Sequence, residues 1–309
     1  MRPSSIPLSL YVHWPWCVRK CPYCDFNSHA LPQAGDIAER YVNALIADMR
    51  TTVAFSQKRP LIGIFFGGGT PSLIEPRLLE RFLDETQKIF SFAPDIEITL
   101  EANPGTVDTA HFEAYRHMGV NRLSMGIQSF NDECLTRLGR IHSANDARLA
   151  ISQAQRYFDN FNLDVMFALP GQTLELLKDD LACALQAQST HLSFYQLTIE
   201  PNTVFAKHVP KELPDIDTQA LMQECVINTL VDAGFDHYEG SGYAKPGFHC
   251  RHNLNYWQFG DYLACGAGAH SKLTLEDGRI LRQARFTNPT SFIEHAEKGN
   301  AVAHSRWVD

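Results

Sequence analysis

The chain has 309 residues, 44% of them hydrophobic and 20% charged, with a formal net charge of -8. That length and apolar content support a sizeable core and about two domains, and exclude a disordered or fibrous chain. The acidic balance argues against nucleic acid or an anionic membrane surface as the main partner, and no run of roughly 18 apolar residues marks a membrane span.

Residues 1–7 form a short polar lead without a targeting pattern, so a cytoplasmic protein is expected. From residue 8 to about 200 the chain alternates β-rich runs with helical-period segments, which predicts an α/β fold with a parallel sheet and crossover helices. The strands are expected at 8–13, 62–66, 96–101, 122–127, 162–167 and 191–197. Asp36 is placed to cap a helix whose Ile37, Tyr41, Leu45 and Met49 recur every four residues. A second helix is expected from about Asp108 to Gly119, and further starts follow Asn131, Ser143 and Thr173, with a stop at Gly139. Repeated βα units close into a barrel or an open doubly wound sheet, and either gathers its chemistry at the C-terminal ends of the strands. After residue 197 the rhythm changes to a Pro-containing connection, a helix near 217–233 and a Gly- and aromatic-rich stretch. A domain change is therefore expected near residue 205, dividing the chain into 1–205 and 206–309.

Three of the eight cysteines, Cys17, Cys21 and Cys24, follow the first strand in the run HWPWCVRKCPYCDFN. In a reducing compartment such clustering points to a metal rather than to disulfides. Three thiolates can hold an iron–sulfur cube and leave one iron open; the other reading is zinc, with His13 or His29 as a fourth ligand. Cys183 and Cys225 fall within helical patterns and read as buried apolar residues.

Polar groups recur where the expected strands end. Gly67, Gly68 and Gly69 in FFGGGTPS allow the backbone to approach a ligand, without the lysine of a phosphate-binding Walker loop. Glu101 in EITLEANP, Gln128 in SMGIQSF, Arg140 in LGRIH and Asp164 in NLDVMFALPG all fall at or near strand ends. Each could instead satisfy a local backbone group or ion pair, but an unpaired carboxylate in an apolar strand such as that of Asp164 is costly to bury.

With these motifs in order, the chain resembles the oxygen-independent coproporphyrinogen III oxidase-like family of radical S-adenosylmethionine (SAM) proteins, and within it the heme-chaperone branch. The resemblance runs through YVHWPWCVRKCPYCDFNSHA, FFGGGTPS, LEANPGT, RLSMGIQSFN, LGRIHS, NLDVMFALPGQT, YQLTIEPNT and CRHNLNYWQFGDYLACGAGAHS. It implies a partial, six-stranded (β/α) barrel over 1–205 and a smaller region over 206–309. Cys17, Cys21 and Cys24 would hold a [4Fe-4S] cluster, and Tyr11, Tyr23, Gly68, Gly69, Thr70, Glu101, Gln128, Arg140 and Asp164 would contact SAM. In this chemistry an electron from the cluster cleaves the sulfonium, and the protein positions the cofactor and excludes side reactions.

Two departures accompany the resemblance. The family's dehydrogenases carry a further cysteine two positions after the third cluster cysteine; here that position is Phe26, which puts coproporphyrinogen decarboxylation in doubt. Members also continue into a helical C-terminal domain, so a chain ending at Asp309 is expected to be shortened.

A second constellation, His249, Cys250, His252, Tyr256, Trp257 and Cys265, sets soft and nitrogen ligands among aromatics. Heme iron accepts such ligands. The run His252-Asn253-x-x-Tyr256-Trp257 matches a motif that the chaperone branch associates with heme, leaving His252 or Cys250 as the ligand. The expectation is a heme chaperone that passes heme to an acceptor, such as a membrane-associated respiratory protein, and that meets an electron donor. The rival is radical SAM oxidative decarboxylation of coproporphyrinogen III in porphyrin biosynthesis.

Overall fold

The computed structural model describes residues 5–32, 36–106 and 109–308. Six strands, β1 (Leu8–Trp14), β2 (Leu61–Gly68), β3 (Phe92–Ala102), β4 (Arg122–Gln128), β5 (Phe161–Phe167) and β6 (His191–Gln196), each pair in parallel with the next. They coincide with the six β-rich runs of the sequence. Between and around them lie α1 (Ile37–Thr52), α2 (Pro76–Ile89), α3 (Thr109–His117), α4 (Asp132–Arg137), α5 (Ala144–Tyr157) and α6 (Leu174–Gln186).

The two-residue period of the strands sorts them into an apolar outer face and a polar inner one. Leu8, Leu10, Val12 and Trp14 join the core with Tyr41, Leu45 and Met49 of α1, the four-residue stripe seen in the sequence. The intervening positions stand in register on the concave face: Ser9 beside Gly63 and Glu97, Tyr11 beside Phe65, Thr99 and Arg122, and Glu101 beside Ser124, Asn162 and His191.

Local signals act largely as expected. Asn131, Ser143 and Thr173 accept hydrogen bonds from the amides of Cys134, Asp146 and Leu176. Gly119 and Gly139 take φ of +103° and +72° past their helix ends, where a Cβ would be strained. Asp36 does occupy the N-cap of α1, but its backbone is already helical and its side chain makes no capping bond, so that expectation is corrected. The expected start at Asp108 lies outside the described residues. Cys183 and Cys225 are half-buried at the edge of the core rather than fully inside it.

The barrel is partial. The later helices are α7 (Val204–Lys207), α8 (Ile216–Asp232), α9 (Arg251–Trp257) and α10 (Pro289–Ala296), and the later strands are β7 (Asp236–His237), β8 (Gly242–Ala244), β9 (Asp261–Cys265), β10 (His270–Thr274), β11 (Ile280–Arg285) and β12 (Val302–Val308). β8 adds antiparallel to β6 with β7 outside it, while β9 adds parallel to β1 and continues into the antiparallel β10, β11 and β12. One 12-stranded sheet results, in the order β12-β11-β10-β9-β1-β2-β3-β4-β5-β6-β8-β7. Residues beyond 205 thus lengthen the barrel sheet at both edges.

Buried charge pins this extension. Asp261, at the start of β9, is paired with Arg59 at 2.7 Å and Lys272 at 2.9 Å, and Asp48 of α1 is paired with Arg285 of β11 at 3.1 Å. Neither partner of the Asp48–Arg285 pair is exposed, so each charge depends on the other.

Candidate cofactor site

The cysteine loop rests on an aromatic platform. Trp14, Trp16 and Tyr41 meet edge-on with ring centroids 4.8–5.7 Å apart, and the Tyr41 hydroxyl donates to the His13 carbonyl at 2.9 Å. Asn27, just past the last cysteine, donates to the carbonyls of Ala267 and Thr287 at 2.9 and 2.8 Å, so the sheet extension holds the loop from behind. Cys17 lies in a short parallel bridge, Trp16–Cys17 with His29–Ala30, and Cys24 closes a turn on the Cys21 carbonyl at 3.1 Å. All three cysteines are free of disulfides and partly exposed, and burial pushes the Cys17 thiol upward.

The zinc reading loses one of its two candidate ligands here. Both ring nitrogens of His13 are engaged, Nδ1 with the Tyr11 hydroxyl at 3.0 Å and Nε2 with the Asn27 carbonyl at 2.9 Å. Among the described residues no three His, Cys, Asp or Glu side chains close on a single metal-sized point. A cube does not ask for that convergence, because each cysteine binds a different iron.

Above the strand ends lies a cavity of about 490 Å³, within the range of roughly 300–1,000 Å³ common for small-molecule sites. Its walls include Cys17, Cys21 and Cys24 together with Tyr23, Gly68, Gly69, Thr70, Glu101, Gln128, Arg140 and Asp164. Eight of the nine expected cofactor contacts are therefore gathered with the cysteines. Tyr11 is not among these walls: its partly exposed side chain sets its hydroxyl against His13 and stacks its ring on Phe65 and His252.

The glycines are required by close approach. A Cβ on Gly69 would come within 2.6 Å of the Trp16 carbonyl oxygen, and Gly68, at φ +114°, would place one 2.5 Å from the His13 ring. Gln128 ends β4 at φ +69°, a strained backbone for a non-glycine residue, and its side-chain oxygen accepts from the Tyr195 hydroxyl at 2.6 Å.

Two carboxyl groups face the cavity. Glu101 accepts from the Gly68 amide at 3.1 Å, and its pKa is pushed up to about 8 by burial and then by the neighbouring Asp164. Asp164 is also raised by burial, against the pull of hydrogen bonds from Asn162 and Ser124 and the charge of Arg122. Arg140 donates to Cys21 Sγ at 3.4 Å and to the Gly126 carbonyl at 2.9 Å, while its buried Nε has no partner among the described residues. The chamber thus combines open thiols, a fixed guanidinium and two carboxyls suited to a cation. That donor set fits a three-cysteine cluster with a cationic amino-acid cofactor.

The second constellation lies at the other end of the barrel. α9 meets the N-terminal halves of the strands: the Arg251 amide donates to Glu97 at 2.9 Å and Asn255 donates to Ser9 Oγ at 3.0 Å. Cys250 is buried, its thiol directed to Glu97 and Asn253 and its pKa pushed up to about 11 by burial. The His252 ring stacks on Phe65 at 4.4 Å and meets Tyr256 edge-on at 4.8 Å; burial and the Arg122 charge lower its pKa to about 3, so it is neutral. Tyr256 and Trp257 remain 40% and 65% exposed.

The cavity also uses residues that the sequence reading did not single out: Asn103, Met166 and Tyr195 line it. Alternation along β5 and β6 could have found Met166 and Tyr195, which stand in register on the inner face with Asp164 two residues earlier on β5. Phe26, at the position of the missing cysteine, lines the same cavity and is 61% exposed.

Residues 11–184 match the radical SAM superfamily. A Haemophilus influenzae protein described as heme chaperone HemW is 51% identical over 94% of this chain and 77% of its own length. The Escherichia coli protein of the same description is 50% identical over 93% of this chain and 76% of its own length. The solved structure of Escherichia coli coproporphyrinogen III oxidase (HemN), a radical SAM enzyme, superimposes with a TM-score of 0.85 over 99% of this chain and 73% of that one; at 23% identity it speaks for the fold. Sequence, fold and the gathering of the motifs in one cavity agree: the chain belongs to the radical SAM superfamily and, within its coproporphyrinogen III oxidase-like family, groups with the heme chaperones HemW.

Proposed function

We propose that the chain is a heme chaperone, with a [4Fe-4S] cluster and SAM at the C-terminal end of the barrel and heme on the α9 face. Its relationship to proteins described as HemW supports the general reading. The observation that carries the heme assignment is α9, where a neutral His252 meets Tyr256 edge-on and the helix also presents the exposed Trp257. A neutral imidazole has a free lone pair for iron, and aromatic walls suit a macrocycle. His252 is the ligand in this reading rather than Cys250, whose thiol is engaged by Glu97 and Asn253. The division near residue 205 becomes functional: 1–205 for cluster and SAM, 206–309 for heme.

Cys17, Cys21 and Cys24 would hold the cluster, whose open iron supplies an electron and a coordination position to SAM. Arg140 sets a fixed positive charge against Cys21. Asp164, and Glu101 once it gives up its proton, offer negative charge to a sulfonium or ammonium, and the Gly68–Gly69 backbone lets such a ligand approach. Tyr23, Thr70 and Gln128 would complete its walls. An electron donor and a heme acceptor, such as a respiratory membrane-associated protein, are the partners, and the cytoplasm is the proposed location. Among the described residues no helix is long and apolar enough to cross a membrane.

Hemin titration of the cluster-reconstituted full chain tests the assignment. A Soret shift that saturates, and that His252→Ala weakens at least about tenfold, is expected for loss of an iron ligand worth about 1.4 kcal/mol or more. No Soret change in the unsubstituted chain, or an unchanged titration in the variant, would refute it. The rival decarboxylase is disfavoured by Phe26, and anaerobic assay with reductant should yield no protoporphyrinogen.

A further inference from the structure

Beneath the cofactor cavity, the interior of the barrel holds a hydrogen-bonded chain that none of the roles above uses. Asn162 Nδ2 donates to Asp164 Oδ1 at 2.9 Å and to Ser124 Oγ at 2.8 Å, and the Ser124 hydroxyl donates to Asp164 Oδ2 at 3.0 Å. Ionised carboxylate oxygens only accept, so the amide nitrogen of Asn162 must face Asp164 and its oxygen must face away. That oxygen lies 2.7 Å from His191 Nδ1 and also accepts from Ser193 Oγ at 3.1 Å.

His191 Nδ1 has to be the protonated nitrogen, which leaves Nε2 as an acceptor for the Tyr238 hydroxyl at 2.7 Å. Tyr238 in turn accepts from the backbone amide of Cys250, the N-cap of α9, at 3.3 Å. Every donor in the series points the same way, from α9 through β6 and β5 to the carboxylate in the cavity. His191 and Asn162 are both buried at 1% exposure, so water does not readily replace a lost member.

We propose that Tyr238, His191 and Asn162 are positioning residues that fix the orientation of the Asp164 carboxylate in the cofactor cavity. If His191 took the other tautomer, its Nδ1 would become an acceptor, favouring an inverted Asn162 amide. Asp164 would then face an oxygen in place of a donor. The contribution to cofactor binding rests on the reading of the cavity given above; the orientation of Asp164 does not.

The test uses the full chain without cluster, carrying 13C-carboxyl aspartate, with Asp164→Asn to identify the resonance. Glu101 of β3, Arg122 of β4 and Tyr195 of β6 also act on Asp164 electrostatically, so those residues stay unaltered throughout. Loss of donors to the ionised form raises the pKa of a carboxyl. His191→Leu is expected to move the Asp164 titration upward by about one pH unit, Tyr238→Phe by a smaller step, and His191→Gln, which keeps an amide donor for Asn162, is expected to restore most of the position. In reconstituted chain the SAM Kd should rise about tenfold for His191→Leu and recover in His191→Gln.

An Asp164 titration unmoved in both Tyr238→Phe and His191→Leu would overturn the proposal, and so would equal behaviour of His191→Leu and His191→Gln. Tyr238→Phe removes only a hydroxyl and serves if the leucine variant does not fold. Failure of the unsubstituted, reconstituted chain to bind SAM would refute the proposed function, while the carboxyl titration still decides this inference.

Discussion

Glu101 gives the cofactor cavity a specific pH dependence. Its carboxyl is buried beside Asp164 with a pKa of about 8, so near pH 7 only about a tenth of the empty molecules carry the ionised form. A bound sulfonium or ammonium favours ionisation, and binding at pH 7 must therefore expel a proton. Where only the ionised carboxylate binds well, affinity rises about tenfold from pH 7 to pH 9, or about 1.4 kcal/mol. Anaerobic titration calorimetry of reconstituted chain with SAM, in buffers of different ionisation enthalpy, reads both the affinity and the protons released. The amino group of SAM also titrates near pH 8, so the comparison is with Glu101→Gln, which should bind weakly and lose the part of the slope due to Glu101.

The same shift fixes a sign for stability. A raised carboxyl pKa favours the fold below the ordinary carboxylate range, and the benefit is lost as pH rises through about 8. Glu101→Gln should accordingly raise the Tm of the empty chain at pH 9 and leave it nearly unchanged near pH 4. Parallel pH slopes for the two proteins, in both binding and Tm, would refute the electrostatic reading of this pair.

Other outcomes follow from the geometry. Arg285→Met leaves Asp48 buried without its partner and should cost about 3–5 kcal/mol in urea unfolding, whereas the double variant with Asp48→Leu should recover much of that loss. Gly69→Ala forces a Cβ against the Trp16 backbone, so iron and sulfide content after reconstitution should fall with little loss of helical circular dichroism. Asn27→Ala removes both ties between the cysteine loop and the sheet extension; faster loss of reconstituted cluster in air is expected, read from the decay of its visible absorbance.

Much of this protein is written locally. The six barrel strands, the stripe of Tyr41, Leu45 and Met49, and the caps at Asn131, Ser143 and Thr173 are set by periodicity and by side chains that reach only a few residues. The cysteine loop and the polar strand ends were legible for the same reason, since parallel βα units deliver strand ends to one side whatever the later chain does. Asp36 shows the limit of such signals: it has the right residue type and position, yet its backbone is already helical and its side chain makes no capping bond.

The relations between distant segments come instead from packing. No local pattern says that β9 pairs with β1, that Asn27 is held by Ala267 and Thr287, or that the Tyr11 ring stacks on His252. The placement of α9 at the opposite end of the barrel from the cysteines, joined to Asp164 through Tyr238, His191 and Asn162, likewise depends on where the sheet curves and closes. Sequence names the groups that can donate, accept or ligate, but which of them meet is set by packing across many residues of separation, where alternation and spacing carry no information.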